Sequence, residues 1–304
     1  MNILLSFKSF FCARFKQKIT KAIILLSIGT LFMTPISSSA EDIILNHHSY
    51  GSGEEKVLVL HSWIDSASSF DNVKQYLDGN TFTYVFADLR SYGGSSNITG
   101  NYNSLEAAED AMRLADKLGW DKFHIIGHSM SGMIVQRVAL EDWIRGSRRL
   151  KSVIGVTPVS ADGYPADEET KTFLQNTIHN PEMHSQLIAG LTSGRLSDKF
   201  TEMMVENNIN TSKPDAMLAY YNMWVEEDFS EKVKSSGIET PIFVIVGKKD
   251  LPGFLEEHVK QTFGQWYQNL TVEAIDDAGH FPMYETPAYL AALMENFMRE
   301  HIAD

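Results

Sequence analysis

The chain has 304 residues, of which 43% are hydrophobic and 21% charged, an ordinary globular composition with ample chain for a substantial core. Acidic residues outnumber basic ones by 39 to 26, giving a net charge of −13. This charge disfavours binding to nucleic acid or to anionic lipid surfaces.

The first forty residues differ from the rest in charge and hydropathy. They have no acidic residue, an apolar run over 22–33 and the small residues Ser38-Ser39-Ala40, and their basic residues are Lys8, Arg14, Lys16, Lys18 and Lys21. The apolar run is shorter than the roughly 20 residues that a membrane span needs, and a small-x-small sequence after it is typical of a secretory signal. We predict a signal peptide over 1–40 and an exported mature chain, periplasmic or secreted, that begins at Glu41.

An uncleaved membrane anchor is the alternative interpretation, because the stretch before Lys16 is long for a signal and apolar in places. Cleavage leaves 21 basic and 39 acidic residues, a net charge of −18, and removes Cys12, the only cysteine. The mature protein is then expected to have no thiol for a disulfide, a metal site or catalysis, and no stable membrane insertion.

After the leader, short runs rich in β-branched and aromatic residues alternate with helical patterns. This alternation favours crossover units and a mostly parallel, doubly wound α/β sheet. The predicted buried strands are 56–61, 83–88, 122–127, 152–158, 241–247 and 270–275, with an edge strand at 42–47.

Helical spacing of apolar residues predicts the helices that cover the sheet. These are 105–118, 134–144, 255–266 and 288–298. From 161 to 240 the alternation stops, and the segment has several short helical patterns, such as those at 170–178, 199–205 and 216–224, and no convincing strand. We therefore predict a helical cap over 161–240, inserted into a core formed by 41–160 and 241–304.

A candidate nucleophile lies at the end of the predicted strand 122–127. This strand runs into Gly127-His128-Ser129-Met130-Ser131-Gly132, and a helical pattern follows at once. A strand, a sharp turn and a helix hold the central serine in a strained conformation that exposes its hydroxyl. An incidental turn serine is the alternative for Ser129.

This turn resembles the nucleophile elbow of the α/β-hydrolase superfamily, G-x-S-x-G, with Ser131 at the second glycine position. The resemblance extends over essentially the whole mature chain and is strongest to carboxylesterase, enol-lactonase and haloperoxidase-like members. It implies a sheet of the α/β-hydrolase type and a serine, acid and histidine that follow in this order. Because haloalkane dehalogenases and epoxide hydrolases of this superfamily use aspartate as nucleophile, Ser129 argues against both.

Two later turns supply the acid and the base that a serine nucleophile needs. Asp250, in Gly247-Lys248-Lys249-Asp250, resembles the G-x-x-D turn of the family, and His280, in Ala278-Gly279-His280-Phe281-Pro282, resembles its histidine loop. A solvated turn aspartate and a packed or surface histidine are the alternatives. Both turns follow predicted strands, as does Ser129, and ligands bind at the carboxyl ends of such strands.

The resemblance also implies two main-chain donors for the developing oxyanion, the amides of Trp63 and Met130. The loop His61-Ser62-Trp63 resembles the family's H-G-x turn, with serine in place of glycine. A third such replacement, Ser91, occurs in Asp88-Leu89-Arg90-Ser91-Tyr92-Gly93. Serine has a Cβ and tolerates positive φ less well than glycine.

The remaining polar candidates have structural interpretations. We interpret Asp88 and Arg90 as a pair that fixes their loop, and His61 and His128 as scaffold. The other histidines show no spacing with acids that is typical of a ligand set, so we predict no metal and no cofactor. Tyr220, Tyr221 and Trp224 lie in an aromatic stripe that lines either a substrate pocket or the core of the cap.

These residues together predict a serine hydrolase that cleaves a small, largely apolar carboxylic ester or lactone. Two alternatives remain open: a non-catalytic binding protein on a hydrolase scaffold, and an acyltransferase, haloperoxidase or lyase that uses the same triad. The binding protein is suggested by the three serine-for-glycine replacements. For the hydrolase, and for the acyltransferase, haloperoxidase or lyase, the expected partner is a small-molecule substrate.

Overall fold

The computed structural model describes residues 43–303, so the predicted leader and its cleavage point lie outside the described residues. Seven strands of this part of the chain form one sheet. They are β1 His47–Tyr50, β2 Glu55–Leu60, β3 Phe82–Ala87, β4 Phe123–His128, β5 Leu150–Val156, β6 Ile242–Gly247 and β7 Leu270–Ile275.

The strand order in the sheet is β1-β3-β2-β4-β5-β6-β7, and only β1 runs antiparallel to its neighbour. The predicted mostly parallel α/β sheet is confirmed. Every residue of β4 and of β6 is buried, because helices cover both faces of a parallel sheet. Because β4, β6 and β7 run in the same direction, their carboxyl ends and the turns that follow them lie at one edge of the sheet.

The six predicted buried strands coincide with β2 to β7 within two residues. The edge strand was predicted at 42–47, but β1 begins at His47 and ends at Tyr50. Its four residues pair with β3, with Tyr50 opposite Tyr84. The apolar character of the preceding segment reflects burial of Leu45 in the core, which is 1% exposed, and does not reflect strand pairing.

Within residues 43–303, seven helices lie outside the predicted cap segment. They are α1 Asp71–Lys74, α2 Ser104–Lys117, α3 Met130–Ile144, α9 Glu256–Gln261, α10 Phe263–Trp266, α11 Pro282–Glu285 and α12 Pro287–Glu300. The single helix predicted at 255–266 is wrong, because α9 and α10 are separated at Thr262. The hydroxyl of Thr262 donates to the carbonyl of His258, and the backbone of Thr262 leaves the helical region.

The segment from 161 to 240 holds five helices between β5 and β6. They are α4 Glu168–Thr177, α5 Pro181–Leu191, α6 Asp198–Thr211, α7 Pro214–Glu226 and α8 Ser230–Ser236. The sequence patterns predicted α4, α6 and α7 but missed α5 and α8. Among residues 43–303, no helix is both long and apolar enough to span a membrane.

Candidate active site

Ser129 stands between the last residue of β4 and the first residue of α3. Its backbone has φ +54° and ψ −117°, a conformation that costs energy for a residue with a Cβ. The turn is held from two sides: Ser129 N–H donates to the carbonyl of Val156 at 2.9 Å, and its own carbonyl accepts from the N–H of Val159 at 2.9 Å. Strand β5 and the segment directly after it therefore fix this strained residue.

Close packing at the turn depends on two glycines. A Cβ on Gly127 would lie 2.2 Å from the carbonyl oxygen of Ser131, and a Cβ on Gly132 would lie 2.2 Å from the Cβ of Pro158. Ser131, at the family's second glycine position, lies in the first turn of α3 with negative φ, and its hydroxyl donates to the carbonyl of His61. The replacement therefore adds a contact and introduces no backbone strain.

The turns after β4, β6 and β7 bring Ser129, Asp250 and His280 into one line of hydrogen bonds. His280 Nε2 lies 2.8 Å from Ser129 Oγ, and His280 Nδ1 lies 2.7 Å from Asp250 Oδ2. Both distances suit hydrogen bonds. Since the carboxylate can only accept while ionised, Nδ1 carries a proton and Nε2 is free to accept one from the serine hydroxyl.

The carboxyl group of Asp250 is shielded from solvent. Its Oδ1 accepts from the N–H of Leu251 at 2.7 Å. Burial raises the pKa of Asp250, and the charge and hydrogen bond of His280 oppose that rise. The ring of Phe254 lies against His280, with 4.3 Å between the ring centroids, so the imidazole is enclosed on this side.

The main chain of His280 is held by both the sheet and the cap segment. Its N–H donates to the carbonyl of Leu191, the last residue of α5, at 2.9 Å. Its carbonyl accepts from His128 Nε2 at 2.8 Å and from Thr157 Oγ1 at 3.1 Å. His128 is fully buried, and burial lowers its pKa well below the usual value, so it supports the histidine loop as a neutral donor.

Glu285, which no sequence pattern singled out, holds the same loop on both sides of His280. Its Oε2 accepts from the N–H of Gly279 at 2.9 Å, and its Oε1 accepts from the N–H of Phe281 at 3.0 Å. Arg195, from the loop after α5, forms an ion pair with this carboxylate. Glu285 follows His280 by five residues, a spacing that does not predict this contact.

The amides of Trp63 and Met130 donate to no other residue within 43–303. The Trp63 residue is nevertheless fixed, since its indole N–H donates to the carbonyl of Met217 at 2.8 Å and its own carbonyl accepts from Tyr92 at 2.7 Å. Ser62 has negative φ, whereas Ser91 adopts φ +63°. Of the three serine-for-glycine positions, only Ser91 has a backbone conformation that favours glycine.

His61 is buried and its tautomer is set by its neighbours. Its Nε2 accepts from the N–H of Leu89 at 3.0 Å, so its Nδ1 donates to the carbonyl of Ser62 at 2.7 Å. The interpretation of Asp88 and Arg90 as a pair is wrong. Asp88 accepts from the main-chain N–H groups of Ala67 and Gly94, while Arg90 forms a two-point contact with Asp110, so each side chain is held by other partners.

An apolar cavity of about 90 Å³ opens beside Ser129 and His280. Its other lining residues are Trp63, Ile64, Tyr164, Thr170, Phe173, Leu174, Leu187, Leu191, Trp224, Leu251 and Phe254. Helices α4 and α5 together supply four of its apolar side chains. The signal for α5 was Asn180 followed by Pro181, a helix cap and a first-turn proline, ahead of apolar residues at helical spacing.

Only one of the three predicted pocket residues lines this cavity. Trp224 does, but Tyr220 and Tyr221 are buried behind its wall. Tyr220, one helical turn before Trp224, packs against Tyr92 and Tyr102, with ring centroids 5.7 and 5.2 Å away. Tyr221 packs against Trp224 with centroids 5.6 Å apart and supports the wall from outside.

The titratable groups of the site do not form a metal-binding cluster. Across residues 43–303, no group of three or more histidine, cysteine, aspartate or glutamate side chains is placed to hold a metal ion.

The chain is similar in sequence to known proteins, to one over about a third of its length and to another over most of it. It is 36% identical over 105 residues to a fluoroacetate dehalogenase of Burkholderia sp., a match that covers 33% of this chain and 34% of that protein. It is 22% identical over 268 residues to a 2-hydroxymuconate semialdehyde hydrolase of Pseudomonas putida, covering 84% of this chain and 90% of that protein. The chain thus spans about a third of the first relative.

Solved structures share the fold at low sequence identity. An esterase from Exiguobacterium antarcticum superimposes with a TM-score of 0.73 at 17% identity, over 84% of this chain and 95% of that chain. A sequence model of the alpha/beta hydrolase fold matches residues 56–287. The chain therefore belongs to the α/β-hydrolase fold family.

Proposed function

We propose that this protein is a serine hydrolase that cleaves small, largely apolar carboxylic esters or lactones through an acyl-enzyme. The observation that carries the proposal is the line of hydrogen bonds from Asp250 through His280 to Ser129, which ends at an apolar cavity. Each residue of this line has a partner that fixes its role, as a nucleophile activated by an oriented base requires.

In the first step, Ser129 Oγ attacks the carbonyl carbon of the ester while its proton passes to His280 Nε2. The imidazolium that forms is stabilised by the carboxylate of Asp250 at 2.7 Å. When the tetrahedral intermediate collapses, the bond from carbon to the alkoxy oxygen breaks. His280 gives its proton to this leaving oxygen, and an alcohol departs.

In the second step, water attacks the acyl-enzyme with His280 again as base. The carboxylic acid leaves and the proton returns to Ser129 Oγ, so the enzyme is restored. For a lactone, the alcohol and the acid are two ends of one product. In both steps the developing oxyanion is expected to accept from the amides of Trp63 and Met130, which have no other partner within 43–303.

The cavity supports a small and apolar substrate. Its volume of about 90 Å³ is well below the roughly 300–1,000 Å³ of sites for drug-sized ligands, and apolar side chains form nearly all of its wall. A short acyl chain would fit, and a charged acyl group would be buried without a partner at considerable cost.

The decisive experiment is labelling of the purified protein with a fluorophosphonate probe, with turnover of p-nitrophenyl acetate and butyrate measured in parallel. Ser129→Ala removes the nucleophile, and Ser235→Ala, an exposed serine of α8, is the matched control. We expect labelling and turnover in the wild type and in the control and neither in Ser129→Ala. A folded wild type that neither labels nor turns over either ester contradicts the proposal and favours the binding protein.

Hydrolysis and acyl transfer are separated by product analysis. In the presence of added methanol or butanol, a hydrolase yields mainly the free acid, whereas an acyltransferase yields mainly the new ester. A new ester as the main product at modest alcohol concentration would replace hydrolysis with transfer and leave the role of Ser129 intact.

A further inference from the structure

Asp65 is a fully buried carboxyl group that accepts hydrogen bonds from three separate donors. Its Oδ1 accepts from the N–H of Ser66 at 2.8 Å and from Asn207 Nδ2 at 2.7 Å. Its Oδ2 accepts from the hydroxyl of Tyr284 at 3.1 Å. Neither oxygen is part of the line formed by Ser129, His280 and Asp250.

These three donors belong to three different parts of the site. Ser66 lies in the loop that carries Trp63, Asn207 lies on α6 in the cap segment, and Tyr284 lies on α11, one helical turn beyond His280. Asp65 is therefore the point at which the loop of one proposed oxyanion donor, the cap segment and the histidine segment meet.

Helix α6 reaches this junction with a second residue, two turns before Asn207. The ring of Phe200 packs against Tyr284 and Phe281, with centroids 5.5 and 6.2 Å away. The cap segment thus contacts the histidine segment through an apolar side chain and contacts Asp65 through a polar one. Both contacts depend on the same orientation of α6.

Asp65 has no ion pair within 43–303, and the charged group whose field reaches it is another acid, Asp71. Desolvation raises the pKa of Asp65 to about 7. A buried carboxyl without a cation stabilises a fold less than an apolar side chain of similar size. Packing alone therefore does not account for an aspartate at this position. An aspartate is explained by its two carboxyl oxygens, which accept from three donors.

We propose that Asp65 is a positioning residue of the active site, which holds the Trp63 loop in register with His280 and with the cap segment. This inference rests on the proposed ester hydrolysis. Oxyanion donors act only when they lie within hydrogen-bond distance of the developing charge, and a misplacement of about 1 Å can cost 10²-fold in rate. Loss of the three-way contact at Asp65 should therefore lower kcat more than it raises KM.

The test compares Asp65→Leu with Asp65→Asn on p-nitrophenyl butyrate. An asparagine can accept from Ser66 and Asn207 through Oδ1 and donate to the Tyr284 oxygen through Nδ2, so it preserves all three contacts. We expect a 10- to 100-fold lower kcat in Asp65→Leu, with KM within threefold of the wild type, and kcat within threefold in Asp65→Asn. Circular dichroism and thermal unfolding confirm that the assayed proteins are folded.

Three results would overturn this proposal. They are a folded Asp65→Leu with wild-type kcat, an Asp65→Asn that is as slow as Asp65→Leu, and a rate loss that lies in KM alone. Turnover in the wild type and its loss in Ser129→Ala report separately on the proposed function, so the two failures are distinguishable.

If Asp65→Leu does not fold, two milder variants test the same contacts singly. Asn207→Ala and Tyr284→Phe each remove one donor, and Tyr289→Phe, at an exposed position of α12, is the matched control. We expect a three- to tenfold lower kcat from each of the first two and no change from the control. Wild-type kcat in both Asn207→Ala and Tyr284→Phe contradicts the positioning role.

Discussion

The hydroxyl of Ser131 donates a hydrogen bond to the main-chain carbonyl of His61, which ties the first turn of α3 to the loop that carries Trp63. The two elements that supply the proposed oxyanion donors, Met130 and Trp63, are therefore joined directly. A glycine at position 131 would leave this connection unmade.

Ser131→Ala removes the bond with little change in volume. We expect a loss of about 1–2 kcal/mol in the free energy of unfolding, because a buried acceptor loses its donor, and a kcat that is several-fold lower. Urea unfolding and turnover of p-nitrophenyl acetate measure the two effects. Ser235→Ala removes an exposed serine-to-carbonyl bond and should change either quantity little. Equal effects of the two variants would contradict the special role of Ser131.

Glu285 fixes the histidine loop through the N–H groups of Gly279 and Phe281. We expect Glu285→Ala to lower kcat by about 10- to 100-fold, since His280 then leaves hydrogen-bond distance of Ser129 or Asp250 for part of the time. Glu285→Gln retains one acceptor and should lie between this variant and the wild type. Steady-state turnover and the rate of fluorophosphonate labelling give the comparison, and unaltered rates in both variants would contradict it.

The raised pKa of Asp65 predicts how stability depends on pH. In the folded protein Asp65 keeps its proton up to about pH 7, whereas in the unfolded chain it loses the proton near pH 4. The contribution of protonated Asp65 to the free energy of unfolding is thus fully present below about pH 4 and is lost as pH rises through 7. Relative to Asp65→Asn, the wild type should lose roughly 4 kcal/mol of unfolding free energy between pH 4 and pH 8, at about 1.4 kcal/mol per pKa unit.

Urea unfolding of both proteins at several pH values measures this difference. Asp121→Asn, at an exposed position, reports the change that comes from net charge alone. A difference between the wild type and Asp65→Asn that does not vary with pH would show that the carboxyl is ionised throughout this range.

The cavity wall predicts the preferred acyl length. Leu187 of α5 lines the cavity, and Leu187→Ala enlarges it. We expect the ratio of kcat/KM for p-nitrophenyl hexanoate to that for acetate to rise at least threefold. Leu218→Ala, at an exposed position of α7, is the matched control. An unchanged ratio in Leu187→Ala would place the acyl chain elsewhere.

Export stays a prediction that rests on the sequence alone. Expression in a bacterial host followed by N-terminal sequencing of the periplasmic or secreted protein should give Glu41 as the first residue. A membrane-bound product that retains its first residues would favour the uncleaved anchor.

The sequence predicted the parallel strands and the three turns of the line from Ser129 to His280, because these features are local. Buried parallel strands are continuous apolar runs of fixed length, and the turn at Ser129 requires small residues at set positions. The prediction of one helix over 255–266 was wrong because the apolar spacing continues across Thr262, whereas the helical backbone conformation is interrupted there.

Contacts between distant segments left no such local pattern. The pairing of Arg90 with Asp110, the hold of Glu285 on the histidine loop and the three donors of Asp65 each join residues whose approach is set by the packing of whole elements. Tyr220 and Trp224 belong to one aromatic stripe, yet only the packing of α7 against its neighbours determined which of them lines the cavity.

The sequence by itself therefore determined the family fold, the order of the strands along the chain and the identity of Ser129, Asp250 and His280 as candidates. Only the tertiary structure decided the distances of 2.7 and 2.8 Å that join them, the apolar cavity beside them and the burial of Asp65. Periodicity and turn chemistry act over a few residues and can be recognised in a sequence. Cavities and hydrogen bonds between segments arise from how helices and strands far apart in the chain pack together.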